Sequence, residues 1–175
     1  MPNHVYIATS LDNYIADRAG SLQWLFDTPN PAGSDYGYAE FMAGIDAVVM
    51  GSGTYEFVLG FEAWPYEKPC YVVSSRHRSA PAKVTGEVHF LSGPPAEVVA
   101  AAHARGHRSL YIDGGKLITS FLRADLIDEL TLSRVPVLLG GGSPLFGELD
   151  SMLKFEHLGT EVFGALIKSR YRRLR

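Results

Sequence analysis

Two stretches decide how this chain is read: Ala47-Val-Val-Met-Gly-Ser-Gly-Thr-Tyr-Glu56 and Leu110-Tyr-Ile-Asp-Gly-Gly-Lys-Leu-Ile-Thr-Ser-Phe-Leu122. In each, an apolar run suited to a buried strand ends in glycines, and a helical pattern follows at once. Glycine tolerates positive φ and lets backbone N–H groups approach a ligand closely. The first turn of the following helix carries unpaired N–H groups and a partial positive charge, so a phosphate there gains hydrogen bonds and dipole attraction together. Two such ends suit a dinucleotide, and the candidate contacts are Gly51, Ser52, Gly53 and Thr54 in the first unit and Gly114, Gly115, Lys116 and Leu117 in the second. A tight turn that merely joins strand to helix explains either glycine pair equally well when it is taken alone.

Neither unit fits the better-known phosphate motifs. Gly51-Ser-Gly-Thr-Tyr-Glu56 holds a glutamate where the Rossmann fingerprint needs its third glycine, and it does not lie in the first strand-helix unit of the chain. Gly114-Gly115-Lys116 is short of the glycine and hydroxyl residues of a P-loop, which argues against nucleotide hydrolysis. Working outward, strand-length apolar runs alternate with helical patterns, the signature of a mostly parallel sheet covered on both faces. Strands are expected at 5–10, 47–50, 68–74, 88–91, 110–113 and 129–135, and helices near 35–42, 54–59, 95–105 and 117–124. Residues 153–160 and 161–173 read as a closing antiparallel pair. Pro136 predicts a bulge or an edge position, and the punctuated stretch 11–31 predicts a long functional loop.

Composition sets the outer bounds. With 175 residues, 46% hydrophobic and 20% charged, the chain suits one compact enzyme domain over residues 1–175. A net charge of −3 gives no bulk attraction to nucleic acid or membrane, and no apolar run approaches the ~18 residues of a bilayer span. The start carries no basic leader before an apolar stretch, and the single cysteine, Cys70, excludes an internal disulfide, so the expected location is the cytoplasm. His103 and His107 flank Gly106 without a carboxylate to complete a zinc set, so no metal is expected. No Gly-x-Ser-x-Gly elbow surrounds Ser10, Ser74 or Ser143. The basic tail from Lys168 to Arg175 is read as a strand face whose charges deter edge pairing.

The order of the pieces carries a family resemblance. Tyr6-Ile-Ala-Thr-Ser-Leu-Asp-Asn-Tyr-Ile-Ala16, Val48 to Glu56, Val72-Val-Ser-Ser75 and Ile112-Asp-Gly-Gly115 together resemble a protein of the dihydrofolate reductase fold. Asp125-Leu-Ile-Asp-Glu-Leu-Thr-Leu132, followed by Pro136-Val-Leu-Leu-Gly-Gly-Gly-Ser-Pro-Leu-Phe146, is more narrowly similar to the reductase domain of riboflavin biosynthesis and its stand-alone bacterial relatives. The resemblance implies a three-layer α/β/α fold, a mostly parallel central sheet with antiparallel C-terminal strands, and hydride transfer from NADPH to a C=N or C=O group of a pterin- or aminopyrimidine-like small molecule. It puts Gly51 to Thr54 on the adenosine side of the cofactor and the Gly114–Gly115 turn beside nicotinamide and pyrophosphate. Ala8 would meet the carboxamide, with Ile15 and Ala16 packed beside the ring.

The same resemblance marks Asp35 as the acidic group that assists protonation. A carboxylate in an apolar cleft can keep its proton, but Ser34-Asp35 is also a helix cap, and both roles stay open. Trp24 and Tyr38 are the expected substrate contacts. Where relatives carry a basic pair, this chain has Ser52 and Gly53, leaving Ser74, Ser75 and Arg76 to grip a 2′-phosphate, so NADH use stays open. A homodimer through 135–146 is implied. The rival reading is a nucleotide-binding or interaction protein that keeps the fold without catalysis.

Overall fold

The computed structural model describes residues 2–175. Its frame is an eight-stranded sheet ordered β5-β4-β3-β6-β1-β7-β10-β9. The strands are β1 (Asn3–Thr9), β3 (Ala47–Gly51), β4 (Cys70–Val73), β5 (Val88–Leu91), β6 (Leu110–Asp113), β7 (Glu129–Arg134), β9 (Lys154–Phe163) and β10 (Leu166–Leu174). β1, β3, β4, β5, β6 and β7 run parallel, and β10 pairs antiparallel with both β7 and β9. Two short strands, β2 (Tyr14–Ala16) and β8 (Ser143–Pro144), form a separate antiparallel pair.

The central strands are apolar throughout because both faces are covered. On one face Ala47, Val49, Tyr71, Leu110 and Ile112 pack with Val98 and Ala102 of α4 (Pro95–Ala104) and Leu117, Ile118 and Phe121 of α5 (Gly115–Arg123). On the other face Val48, Met50, Val72 and Tyr111 pack with Tyr55 and Val58 of α3 (Ser52–Val58), joined by Phe41 and Met42 of α2 (Tyr38–Ala43). Cys70 is fully enclosed, and burial pushes its thiol up to about 12. The chain is therefore the expected three-layer α/β/α fold with antiparallel C-terminal strands.

Several expectations are corrected in detail. The closing hairpin turns at Gly164, which takes φ +61 between β9 and β10, and not at Thr160. β7 stops at Arg134, so Pro136 falls beyond the strand, and β7 lies between β1 and β10 instead of at an edge. The basic tail does not guard an edge either, because β9 is the outer strand. Three of its arginines pair with carboxylates of β7 and the turn before it: Arg172 with Glu129, Arg173 with Asp125, and Arg175 with Asp125 and Asp128. Stretch 11–31 is not wholly irregular, since it contains β2 and the one-turn helix α1 (Gln23–Phe26). No helix among the described residues is long and apolar enough to cross a membrane.

Candidate functional site

The chain order reverses at β1. From β1 the sheet is built outward through β3, β4 and β5, then β6 returns to sit between β3 and β1, and β7 takes the other side. Ligands in open parallel sheets bind beyond the carboxyl ends of the strands at such a reversal. Here the reversal is also a gap. β1 pairs with β6 only at Asn3↔Leu110 and His4↔Tyr111, whereas it stays paired with β7 from His4 to Thr9. Backbone groups alternate in direction along a strand: the Pro2 carbonyl accepts from Leu110 N on the β6 side, and the Asn3 and Thr9 carbonyls accept from Asp128 N and Val135 N on the β7 side. Even-numbered residues of β1 thus turn toward β6. The Tyr6 carbonyl is taken by Tyr111 Oη at 2.9 Å, and the Ala8 N–H and C=O face the gap without a strand partner.

Both glycine units open onto this gap. Met50 and Asp113 are partners across β3 and β6, so Gly51 and Gly114 follow side by side. Gly114 has φ +102, and a Cβ there would stand 2.7 Å from Thr54 Oγ1. A Cβ on Gly115 would meet the Pro144 carbonyl oxygen at 2.6 Å and Ile15 Cδ1 at 3.1 Å. Gly51, Thr54, Gly114, Gly115 and Ile15 therefore converge, with β2 and β8 as one wall, and Ala16 pairs with Ser143 in that wall. Helix α3 begins at Ser52, earlier than expected, so the turn passes directly into helical N–H groups. Gly53 faces open space, Leu117 is buried in the core beneath Gly51, and Lys116 is exposed. The 135–146 segment spends much of its apolar character within the chain, where Val135 and Leu145 are buried, and leaves Leu138 and Phe146 outward.

Ala8 also lines a cavity of about 560 Å³ with Tyr6, Leu25, Phe26, Asp35, Tyr36, Tyr38, Tyr111 and Ser133. Tyr38, an expected substrate contact, is one of the lining residues. Trp24 is not among the lining residues; its helical neighbours Leu25 and Phe26 are, because a one-turn helix aims successive side chains about 100° apart. Asp35 lines the cavity, and of the two roles open to it the hydrogen bonds favour the helix cap. Its two oxygens accept from Ala39 N and Gly37 N, each at 2.8 Å, and these bonds hold its carboxyl below the ordinary aspartate range. It caps α2 as an ionised group. Ser34 does not cap α2; its Oγ accepts from Tyr36 N. Asp35→Ala is expected to loosen the start of α2 and lower the melting midpoint at neutral pH, as followed by circular dichroism.

The acidic group with a raised proton affinity is Asp113, which sequence reasoning passed over as the last residue of a strand. Burial lifts its carboxyl to about 6, opposed only by the Gly114 N–H. Tyr38, Tyr66 and Tyr111 all lie within its field, each pushed up first by burial and then by this carboxylate, Tyr38 to about 12. Asp12 was missed as well. It accepts from Ser10 Oγ at 2.6 Å, Leu139 N at 3.1 Å and Gly140 N at 2.8 Å, tying the turn after β1 to the loop that carries β8.

Of the residues expected to grip a 2′-phosphate, Arg76 is already engaged within the chain. Arg76 Nη2 and His77 Nε2 meet Glu56 Oε1 at 2.8 and 2.9 Å. Ser74 Oγ accepts from the N–H groups of Arg76 and His77, so it shapes the turn, and Ser75 is exposed.

Comparison with known proteins agrees with this fold. Residues 4–168 match the family described as the RibD C-terminal domain. The chain is 34% identical over 170 residues to the uncharacterised protein YwjB of Bacillus subtilis, covering 95% of both chains. A Shewanella sp. PV-4 structure provisionally assigned to riboflavin biosynthesis is 45% identical, with TM-score 0.95 and full coverage of both chains. The Thermotoga maritima diaminohydroxyphosphoribosylaminopyrimidine deaminase/5-amino-6-(5-phosphoribosylamino)uracil reductase is 18% identical with TM-score 0.74; the match covers 99% of this chain and 56% of that one. Dihydrofolate reductase from Enterococcus faecalis, complexed with NADP(H), is 17% identical with TM-score 0.65, covering 99% of this chain and 97% of that one. The last two likenesses carry the fold.

Proposed function

The chain belongs to the RibD C-terminal domain family, a family of reductase-type domains, and from this we propose that it passes a hydride from NADPH or NADH to a C=N or C=O bond of a small heterocycle. The observation that supports the reading most directly is the gap between β1 and β6, which leaves the Ala8 N–H and C=O aimed between the glycine turns and the aromatic cavity. A carboxamide needs one acceptor and one donor, and Ala8 offers both. The residues at the turns suit a diphosphate: Gly51 and Gly114 remove side chains, and the first turn of α3 presents free N–H groups.

Bound there, a reduced nicotinamide would supply the hydride. The chain's own residues would do the rest. Ile15 and the β2–β8 wall exclude water, Tyr6, Tyr38 and Tyr111 hold the ring of the substrate, and Asp113, which does not itself line the cavity but lies within the field of Tyr38 and Tyr111 and is protonated below about pH 6, is the source of the proton for the nitrogen or oxygen of the bond being reduced. Hydride and proton together complete a two-electron reduction.

Titrating the protein with NADPH and NADH while following tryptophan emission tests the reading. A saturable response to at least one of them is expected, and its absence with both would leave the rival reading of a fold kept without catalysis. Cofactor choice turns on Glu56. Because this carboxylate holds Arg76, a 2′-phosphate has to compete for the guanidinium. Glu56→Gln is expected to raise the NADPH to NADH affinity ratio about tenfold, the worth of roughly one charge-assisted hydrogen bond. An unchanged ratio would remove Arg76 from the cofactor site. The cytoplasm and a homodimer remain part of the proposal, and light scattering reads the second.

A further inference from the structure

Resting on the reductase reading above, we infer that the cavity at Tyr6, Tyr38 and Tyr111 selects an unphosphorylated, planar nitrogen heterocycle and turns away the same ring when it carries a phosphate. The argument is one of shape and charge. Tyr6 meets Tyr38 edge-on at 5.7 Å and lies against Phe41 at 4.7 Å, and Phe41 meets Tyr111 edge-on at 5.2 Å. Mutually buttressed rings give a rigid aromatic wall, and flat π-systems pack well on such surfaces.

Charge on the lining itself has one sign. Asp35 is the charged side chain lining the cavity, and the Ala39 and Gly37 N–H groups keep it ionised. Beyond the lining, the Glu161 carboxylate joins that of Asp35 in adding to burial to lift Tyr6 to about 12, and Asp113 acts on Tyr38 in the same way. The ammonium adjoining the cavity belongs to Lys168, and it is already spent. Lys168 is 7% exposed; its Nζ donates to the Tyr36 carbonyl at 2.9 Å, pairs with Glu161 at 3.2 Å and stands 4.9 Å from the Phe163 ring. The same carbonyl accepts from Tyr6 Oη at 2.7 Å, so Lys168 serves to pin the cavity wall.

Among the described residues lining the cavity, no arginine or lysine is available to a phosphate. An entering phosphate dianion would lose hydration without gaining a cationic partner, and would stand beside Asp35. A ring edged with N–H groups meets acceptors instead, in Asp35, the tyrosine hydroxyl oxygens and Ser133. Specificity by unpaired like charge is a recognised means of excluding one of two similar ligands.

The test compares the phosphoribosylaminouracil named for the Thermotoga protein with the same compound stripped of its phosphate, by isothermal titration with and without saturating nicotinamide cofactor. The stripped compound is expected to bind at least about tenfold more tightly in both conditions, the scale of one charge-assisted interaction. Phe26→Arg, which adds a cation at the exposed rim, is expected to narrow the difference by strengthening the phosphorylated compound alone. Equal or tighter binding of the phosphorylated compound to the unmodified protein overturns the inference. So does binding of neither compound while the cofactor still binds. Discrimination between the two compounds with no cofactor binding would instead sink the reductase reading and leave the ring preference standing.

Discussion

Replacing Asp113 with asparagine is expected to lower turnover by about 10²–10⁴-fold, the usual worth of a positioned general acid, and at the same time to make the folded protein more stable above pH 6. The two effects share one cause. Burial raises the carboxyl from 3.8 to about 6, so between those values the folded chain holds a proton that the unfolded chain has released. The group's contribution to stability is full below pH 3.8 and is lost as the pH rises through about 6. Above that point an ionised carboxylate sits in a half-buried, poorly solvated place, at a cost on the order of 1–3 kcal/mol.

Asparagine carries no charge to desolvate, so the denaturation midpoint of Asp113→Asn should exceed that of the unmodified protein at pH 8 and converge with it near pH 4. Turnover of the unmodified protein should fall as the pH rises through about 6, because the acid form does the work, and the variant should lose that limb of the profile. An unaltered rate with an unaltered pH profile would remove Asp113 from the chemistry. A variant no more stable at pH 8 would show that its carboxylate is better solvated than the fold implies.

The second large effect is expected at Gly115. A Cβ there would press to 2.6 Å on the Pro144 carbonyl and to 3.4 Å on the Leu145 carbonyl, both of them backbone atoms that cannot swing aside. Gly115→Ala should therefore cost about 1–3 kcal/mol in urea denaturation, the range of an overpacked site, and should weaken cofactor binding by shifting the β8 wall. Gly53→Ala is the companion. Nothing lies within 4 Å of its Cβ position, and it sits inside α3, where alanine is favoured over glycine by ~1 kcal/mol. That variant should be as stable as the parent or more so. If both substitutions behave alike, the two glycine units are not distinguished by packing, and the close approach of β8 to α5 is not what fixes the site.

The sequence made legible whatever is set by near neighbours along the chain. Buried strands show as apolar runs, and helices start where Gly51 and Gly114 end those runs, because dihedral freedom and hydrophobic pattern are local properties. The closing strands were legible as a pair, but their turn was not: β-branched and polar residues continue on both sides of it, and only the positive φ at Gly164 marks the reversal. The choice between Trp24 and its neighbours was equally hidden, since a single turn of helix is too short for its periodicity to show a face.

What tertiary structure alone decided is where charge is tolerated. Asp35 and Asp113 are the same residue type, and each lies beside a glycine unit or a helix start. One is held ionised by two N–H groups at a solvated surface, and the other is held toward neutrality beneath tyrosines drawn from separate segments of the chain. Proton affinity depends on solvation and on the summed field of groups distant in sequence. The spent ammonium of Lys168 and the opening of β1 away from β6 have the same origin, in that each arises only where separate segments meet.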